Sequence, residues 1–264
     1  MGLLALPSCK FGAGVQGAVV EVDLVFPRND TYSTGSIPLL FAVQNSALAV
    51  PLAMHISWIM SDYGDDNRVV FGSRSLLCDE LGQTDPFLTH EYLNPDKTTA
   101  AEATWRLIWT VQSQNCSREG NATQISQILQ QHAVLFTTKK GAPQPDVLRG
   151  ADACARSPAA TFNVTDTLPI YASRNMGRDS CNVLAPGPFP SPNPCAIAMG
   201  PVVVAAAANL TRQSFCESVG PAKSTSTPLG NAAARGAPLW AADAGSTMWL
   251  ASVLSAVGGM AGLY

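Results

Sequence analysis

The chain has 264 residues, enough for one domain of ordinary size and a small appendage. Only 13% of them are charged and the formal net charge is −3, which excludes the basic footprint of a nucleic-acid or anionic-lipid binder. With 47% apolar residues beside 21 glycines and 19 prolines, the chain can fill a core but must turn often, so wholesale disorder is excluded too.

Residues 1–17 hold a short apolar run, Leu3–Leu6, broken by Pro7 and Lys10, and read as a weak or truncated secretion leader. Ala18–Phe26 then alternates, with Val20, Val22, Leu24 and Phe26 on one face and Glu21 and Asp23 on the other. That pattern predicts a half-buried strand, ended by the turn Pro27–Asp30. Pro38–Asn45 and Met54–Asp62 predict two more strands, the second with Met54, Ile56, Trp58 and Met60 on one face. Asp62, Asp65 and Asp66 lie in a Gly/Asp/Asn cluster that favours a solvated hairpin loop; it lacks the alternating carboxylates and later glutamate of a calcium loop.

Strands are expected through Arg68–Phe71, Phe87–Leu93 and Ala103–Gln112. In the last, Trp105, Leu107, Trp109 and Val111 share a face at period two. Gln124–Thr138 begins with helical spacing but ends in a β-branched and aromatic run, and is assigned as a strand. Ala160–Tyr171 alternates once more. Many short strands separated by Gly, Pro, Asn and Asp predict an all-β fold, an antiparallel, immunoglobulin-like β-sandwich over residues 18–184.

Residues 185–194 form a proline-rich connector. A small cysteine-stapled appendage is expected over 195–220, a disordered low-complexity stalk over 221–246, and a hydrophobic tail over 247–264. The tail is uncharged from Met248 to Tyr264, shorter than the roughly 20 residues of a spanning helix, and preceded by small-residue triplets. It reads as a signal exchanged for a glycolipid (GPI) anchor, with attachment at Asn231 and Gly236-Ala237 as the alternative. Such an anchor would seat the protein on the outer membrane leaflet.

Beyond Cys9 in the leader, six cysteines remain: Cys78, Cys116, Cys154, Cys181, Cys195 and Cys216. They allow about 15 pairings. The simplest closures are Cys154 with Cys181 and Cys195 with Cys216. Five Asn-x-Ser/Thr sequons, at Asn29, Asn115, Asn121, Asn163 and Asn209, come from only 12 asparagines, against about two expected by chance. Even cysteines and excess sequons both point to an oxidising, extracellular compartment.

Catalytic signals are sparse. His55, His90 and His132 belong to no HExxH motif, no Gly-x-Ser-x-Gly elbow occurs, and no His/Cys spacing suits zinc, so no catalytic residue, metal or cofactor is assigned. Asp79, Glu80, Asp85 and Glu91 are carboxylates from which a glycosidase pair could be drawn, given a separation of about 5–9.5 Å. Trp58, Trp105 and Trp109 could stack on sugars, but their place on alternating strands favours the core.

Several stretches resemble a family of uncharacterised fungal secreted proteins, often GPI-anchored: EVDLVFPRNDTY (Glu21–Tyr32), PLLFAVQN (Pro38–Asn45), TWRLIWTV (Thr104–Val111), FNVTDTL (Phe162–Leu168) and PSPNPC (Pro190–Cys195). The resemblance implies a signal peptide, a β-rich ectodomain, paired cysteines and often an anchor signal, and it carries over no catalytic residues. The expected function is that of a cell-surface or cell-wall glycoprotein, structural or ligand-binding and not an enzyme, whose partner is a cell-wall glycan or a surface protein. The alternative is a carbohydrate-active hydrolase working on the wall through a carboxylate pair.

Overall fold

The computed structural model describes residues 17–65, 68–76, 81, 84–93, 99–147, 158–171, 178–194, 205 and 209. The chain divides into two compact units, Met1–Ala222 and Lys223–Tyr264, and every described residue lies in the first. The leader up to residue 16, Asn231 and the apolar tail lie outside the described residues, as do Cys78, Cys154, Cys195 and Cys216. Among the described residues no helix is long and apolar enough to cross a membrane.

The described residues form ten strands: β1 (Ala18–Phe26), β2 (Thr31–Tyr32), β3 (Ile37–Gln44), β4 (His55–Asp62), β5 (Val69–Ser75), β6 (Phe87–Leu93), β7 (Ala103–Glu119), β8 (Ala122–Thr138), β9 (Ala159–Pro169) and β10 (Ser180–Leu184). They form two five-stranded sheets, β10-β9-β1-β3-β6 and β2-β8-β7-β4-β5. Pairing is antiparallel throughout, except where β2 runs parallel to β8. One four-residue helix, Ser46–Ala49, and a 3-10 turn, Val50–Leu52, fill the gap between β3 and β4.

The core takes one face from each sheet. Val20, Val22, Leu24 and Phe26 of β1 and Leu39, Phe41 and Val43 of β3 belong to the same buried cluster as Ile56, Trp58 and Met60 of β4 and Trp105, Leu107, Trp109 and Val111 of β7. Phe41 from one sheet meets Trp109 from the other with ring centroids 5.3 Å apart, and Trp109 in turn lies 4.9 Å from His132. Trp105 is fully buried and donates its indole N–H to Thr138 Oγ1 at 2.7 Å, which removes the cost of hiding that donor. The three tryptophans of β4 and β7 are core residues, each under a tenth exposed.

The β7–β8 hairpin outgrows its sheet. β4 pairs β7 only from Trp105 to Gln112, while β7 and β8 remain paired as far as Glu119 and Ala122. Beyond Ser113 the free arm leans on β10. Arg178, which is buried, donates to Gln114 Oε1 at 2.6 Å and to the Pro51 carbonyl at 3.0 Å, and Asn115 Oδ1 accepts from Leu184 N at 2.9 Å. A disulfide joins Cys116 to Cys181, and so one sheet to the other. Cys181 therefore pairs with Cys116 rather than with Cys154. The register explains the choice: β10 runs beside the arm, and the two Cα atoms stand 5.9 Å apart, within bonding distance for cystine.

Candidate functional site

The strongest chemical anomaly lies on the outer face of the first sheet. Glu21 and Asp23 point away from the core, as the alternation of β1 requires, yet both are buried and Asp23 is 0% exposed. β1 is thus covered on both faces rather than half-buried. The cover comes from residues 185–194, which run back across the sheet as a strap. Both Glu21 carboxylate oxygens accept from Asn193 N at 2.9 Å, Thr161 Oγ1 donates to the Pro190 carbonyl at 2.7 Å, and Gln44 Nε2 donates to the Asn193 carbonyl at 3.4 Å. Prolines supply no amide hydrogens, so the strap is held through the Pro190 and Asn193 carbonyls and through two N–H groups, that of Asn193 and that of Ala185, which donates to the Asn163 carbonyl at 2.9 Å.

Beneath the strap, Gln44 Nε2 donates to Asp23 Oδ2 at 2.9 Å, while Asp23 Oδ1 has no N–H or O–H facing it. The Glu21 side chain stands within hydrogen-bonding reach of Asp23. A buried carboxyl beside a second acidic side chain is favoured in its protonated form, because burial and a neighbouring negative charge both penalise ionisation. Burial raises the pKa of Asp23 most; the hydrogen bond and the charge of Glu21 raise it further, and the Gln44 N–H holds it back, leaving it at about 8. A carboxyl raised that far keeps its proton at neutral pH, which fits Asp23 to its place beside Glu21 in a dyad under the strap.

The sheet edge beside the dyad is closed by a side chain. β10 pairs β9 only up to Val164, leaving the backbone of Thr161 without a strand partner on that side. The Gln130 carboxamide takes its place, donating to the Thr161 carbonyl at 2.6 Å and accepting from Thr161 N at 3.2 Å.

A second feature is a cleft of about 830 Å3 at the free arm of the hairpin. Its lining comes from Arg118, Thr123 and Ile125 of the hairpin arm, from the turn Gly120-Asn121-Ala122, and from Pro169, Ile170 and Tyr171 at and after the end of β9. The Cys116–Cys181 disulfide adjoins it, since Cys116 is the cross-strand partner of Ile125 and Cys181 that of Leu168.

A family model described as a domain of unknown function, DUF7136, matches residues 16–225. The chain belongs to the DUF7136 family. No curated protein matches it. In this DUF7136 domain the dyad gathers residues from three of the stretches that carry the sequence resemblance: Glu21 and Asp23 from the first, Gln44 from the second and Asn193 from the last. TWRLIWTV serves the core instead, through Trp105, Leu107 and Trp109.

The other residues singled out from sequence do not converge. His55 lies on the outer face of β4, its Nδ1 3.0 Å from Ser75 Oγ, and burial lowers its pKa. His132 stacks on Trp109 from the inner face, with its pKa lowered by burial, and His90 is on β6 in the other sheet. Asp85 Oδ1 accepts from Ser46 N at 3.2 Å, while Glu91, four residues and about 13 Å of strand beyond Phe87, faces Arg74 at 4.0 Å. Asp79 and Glu80 are outside the described residues. Asp62 and Asp65 both face Arg68 across the β4–β5 hairpin, at 3.1 and 3.7 Å, in a loop whose Asp66 is not described. Among the described residues no group of three or more His, Cys, Asp and Glu side chains is placed to hold a metal.

The sequon asparagines fall into two sets. Asn29, Asn121 and Asn209 are exposed, while Asn115 and Asn163 are half-buried in β7 and β9. The dyad itself escapes a sequence reading. Alternation places Glu21 and Asp23 outward, and only a strap 172 residues downstream, at Asn193, turns outward into buried.

Proposed function

We propose that this DUF7136 protein is a secreted glycoprotein of the fungal cell surface or cell wall, with a non-enzymatic, structural or ligand-binding role. Its two sheets form an immunoglobulin-like β-sandwich, and the tail gives way to a lipid anchor at Asn231 on the outer leaflet. The observation that carries the reading is the disulfide Cys116–Cys181, which ties the two sheets together and suits an oxidising compartment. Exposure of Asn29, Asn121 and Asn209 supports it, because a hydrated glycan needs an asparagine at the surface.

A ligand-binding role draws its support from the open face of the second sheet. Phe71, Ile59, Ile108 and Ala133 are successive cross-strand neighbours on β5, β4, β7 and β8, with Val69 and Leu135 beside them. Single exposed apolar residues are ordinary on a protein surface, whereas a contiguous row marks a contact surface. We place the contact with a cell-wall glycan or a surface protein here.

The hydrolase alternative gains nothing from the dyad. Glu21 and Asp23 are in direct contact under the strap, and glycoside hydrolysis needs carboxyl groups about 5–9.5 Å apart around an open cleft. The test is expression of the full chain in a fungal host. The expected results are glycosidase-sensitive mobility, release from intact cells by a phosphatidylinositol-specific phospholipase, and retention of the released protein on cell-wall glycan without its cleavage. Reduced Cys116 and Cys181 in an unglycosylated intracellular protein would contradict the reading.

A further inference from the structure

We infer that the cleft on the free arm of the β7–β8 hairpin is the seat of the chain's own N-linked glycan, carried on Asn121. The inference rests on the secreted-glycoprotein reading and goes beyond it by giving one sugar chain a binding site on the protein that bears it.

The whole sequon Asn121-Ala122-Thr123 belongs to the cleft lining. Asn121 is the second residue of a two-residue turn joining β7 to β8; Gly120, the first, has φ +61°, the form that a tight hairpin turn with glycine in front requires. The turn holds Asn121 exposed among the residues that line the cleft, so the first sugar of an attached glycan starts beside its lining. The same lining holds Tyr171, 81% exposed, and Ile125, 40% exposed, with Pro169 and Ile170.

Those walls have the chemistry a sugar needs. The C–H face of a pyranose packs on an aromatic ring and on aliphatic surface, and its hydroxyl and acetamido groups take hydrogen bonds from a guanidinium such as that of Arg118. A space of about 830 Å3 lies within the range of small-molecule sites and has room for more than one sugar ring. Tethering decides the occupant. A free sugar must bind from solution, whereas a glycan rooted in the wall is held at an effective concentration in the millimolar range, at which weak contacts suffice. Asn29 gives an internal control, because it is exposed but no part of this cleft.

The full chain, secreted from a eukaryotic host, tests the inference by site-resolved mass spectrometry during native digestion with peptide-N-glycosidase. The glycan on Asn121 is expected to come off about fivefold to tenfold more slowly than that on Asn29, the size of effect one aromatic face can supply. The difference should vanish after denaturation. Tyr171→Ala should bring the two native rates together while leaving Asn121 as fully occupied as before, and Thr123→Ala should abolish the Asn121 glycan alone. An occupied Asn121 released as fast as Asn29, or a bare Asn121 beside an occupied Asn29, would overturn the seat and leave the glycoprotein reading standing. A secreted chain with no glycan at any sequon would overturn both.

Discussion

The two sheets turn opposite outer faces to their surroundings. On β1 the outward residues are Glu21 and Asp23, polar and buried; on β4 and β5 they are Ile59, Val69 and Phe71, apolar and exposed, Phe71 by 69%. Residue polarity taken alone would assign the faces the other way round. What decides the matter is whether a later segment crosses the sheet. The strap 185–194 crosses the first one, and beneath it Asp23 is bonded to Gln44 and raised in pKa by burial, while Glu21 accepts from Asn193. The contrast shows that a covered polar face raises a carboxyl pKa, while the uncovered sheet leaves a row of apolar side chains exposed, where the proposed contact is placed.

The largest effect expected is on stability against pH. Asp23 has a folded pKa of about 8 against 3.8 for the free group, so between those values the folded chain holds a proton that the unfolded chain has released. The contribution is complete below pH 3.8 and is lost as pH rises, at about 1.4 kcal/mol per unit, until the folded group ionises near pH 8. Asp23→Asn keeps the shape and can donate to Glu21. Urea unfolding should therefore show a stability gap between variant and wild type that changes steeply between pH 5 and 8, in the variant's favour as pH rises. A pH-independent gap would contradict a protonated Asp23.

Next in size is Gln130→Ala, which strips the Thr161 N–H and carbonyl of their partner at the edge of the covered sheet. A loss of about 2–3 kcal/mol is expected in chemical denaturation. Gly72→Ala probes the edge of the open sheet. A Cβ there would press into the Trp58 indole ring, and overpacking of this kind costs about 1–3 kcal/mol, read as a lowered Tm. The smallest effect is expected from Phe71→Ser on the open face: stability within about 0.5 kcal/mol of wild type, with weakened retention on cell-wall glycan if the proposed contact lies there. A large stability loss there would mean that the open face is covered after all.

Strands with clean alternation were legible from sequence: β1 and β6 have the expected ends, and β3, β4 and β9 differ by a residue or two. β7 runs seven residues past the expected Gln112, because SQNCSRE has no apolar period and is held by hairpin pairing and the disulfide instead of by burial on one face. The start of β8 has Ile125, Ile128 and Leu129 at helical spacing, yet cross-strand pairing with the arm of β7 overrides that local preference. β2 is two residues long and β10 five, too short for any period to show. The Cys116–Cys181 pair, 65 residues apart, and the strap over Glu21 depend on tertiary register, to which local pattern is blind. The dyad was visible as two outward acids; its burial was not.

Burial under the strap holds the Asp23 carboxyl in its protonated form at neutral pH. A carbon-13 carboxyl NMR titration of the isotope-labelled protein, with Asp23→Asn to assign the resonance, measures it directly. Titration of the Asp23 carboxyl near pH 8 is the expected result, and titration below about pH 5, as for a solvated aspartate, would contradict it.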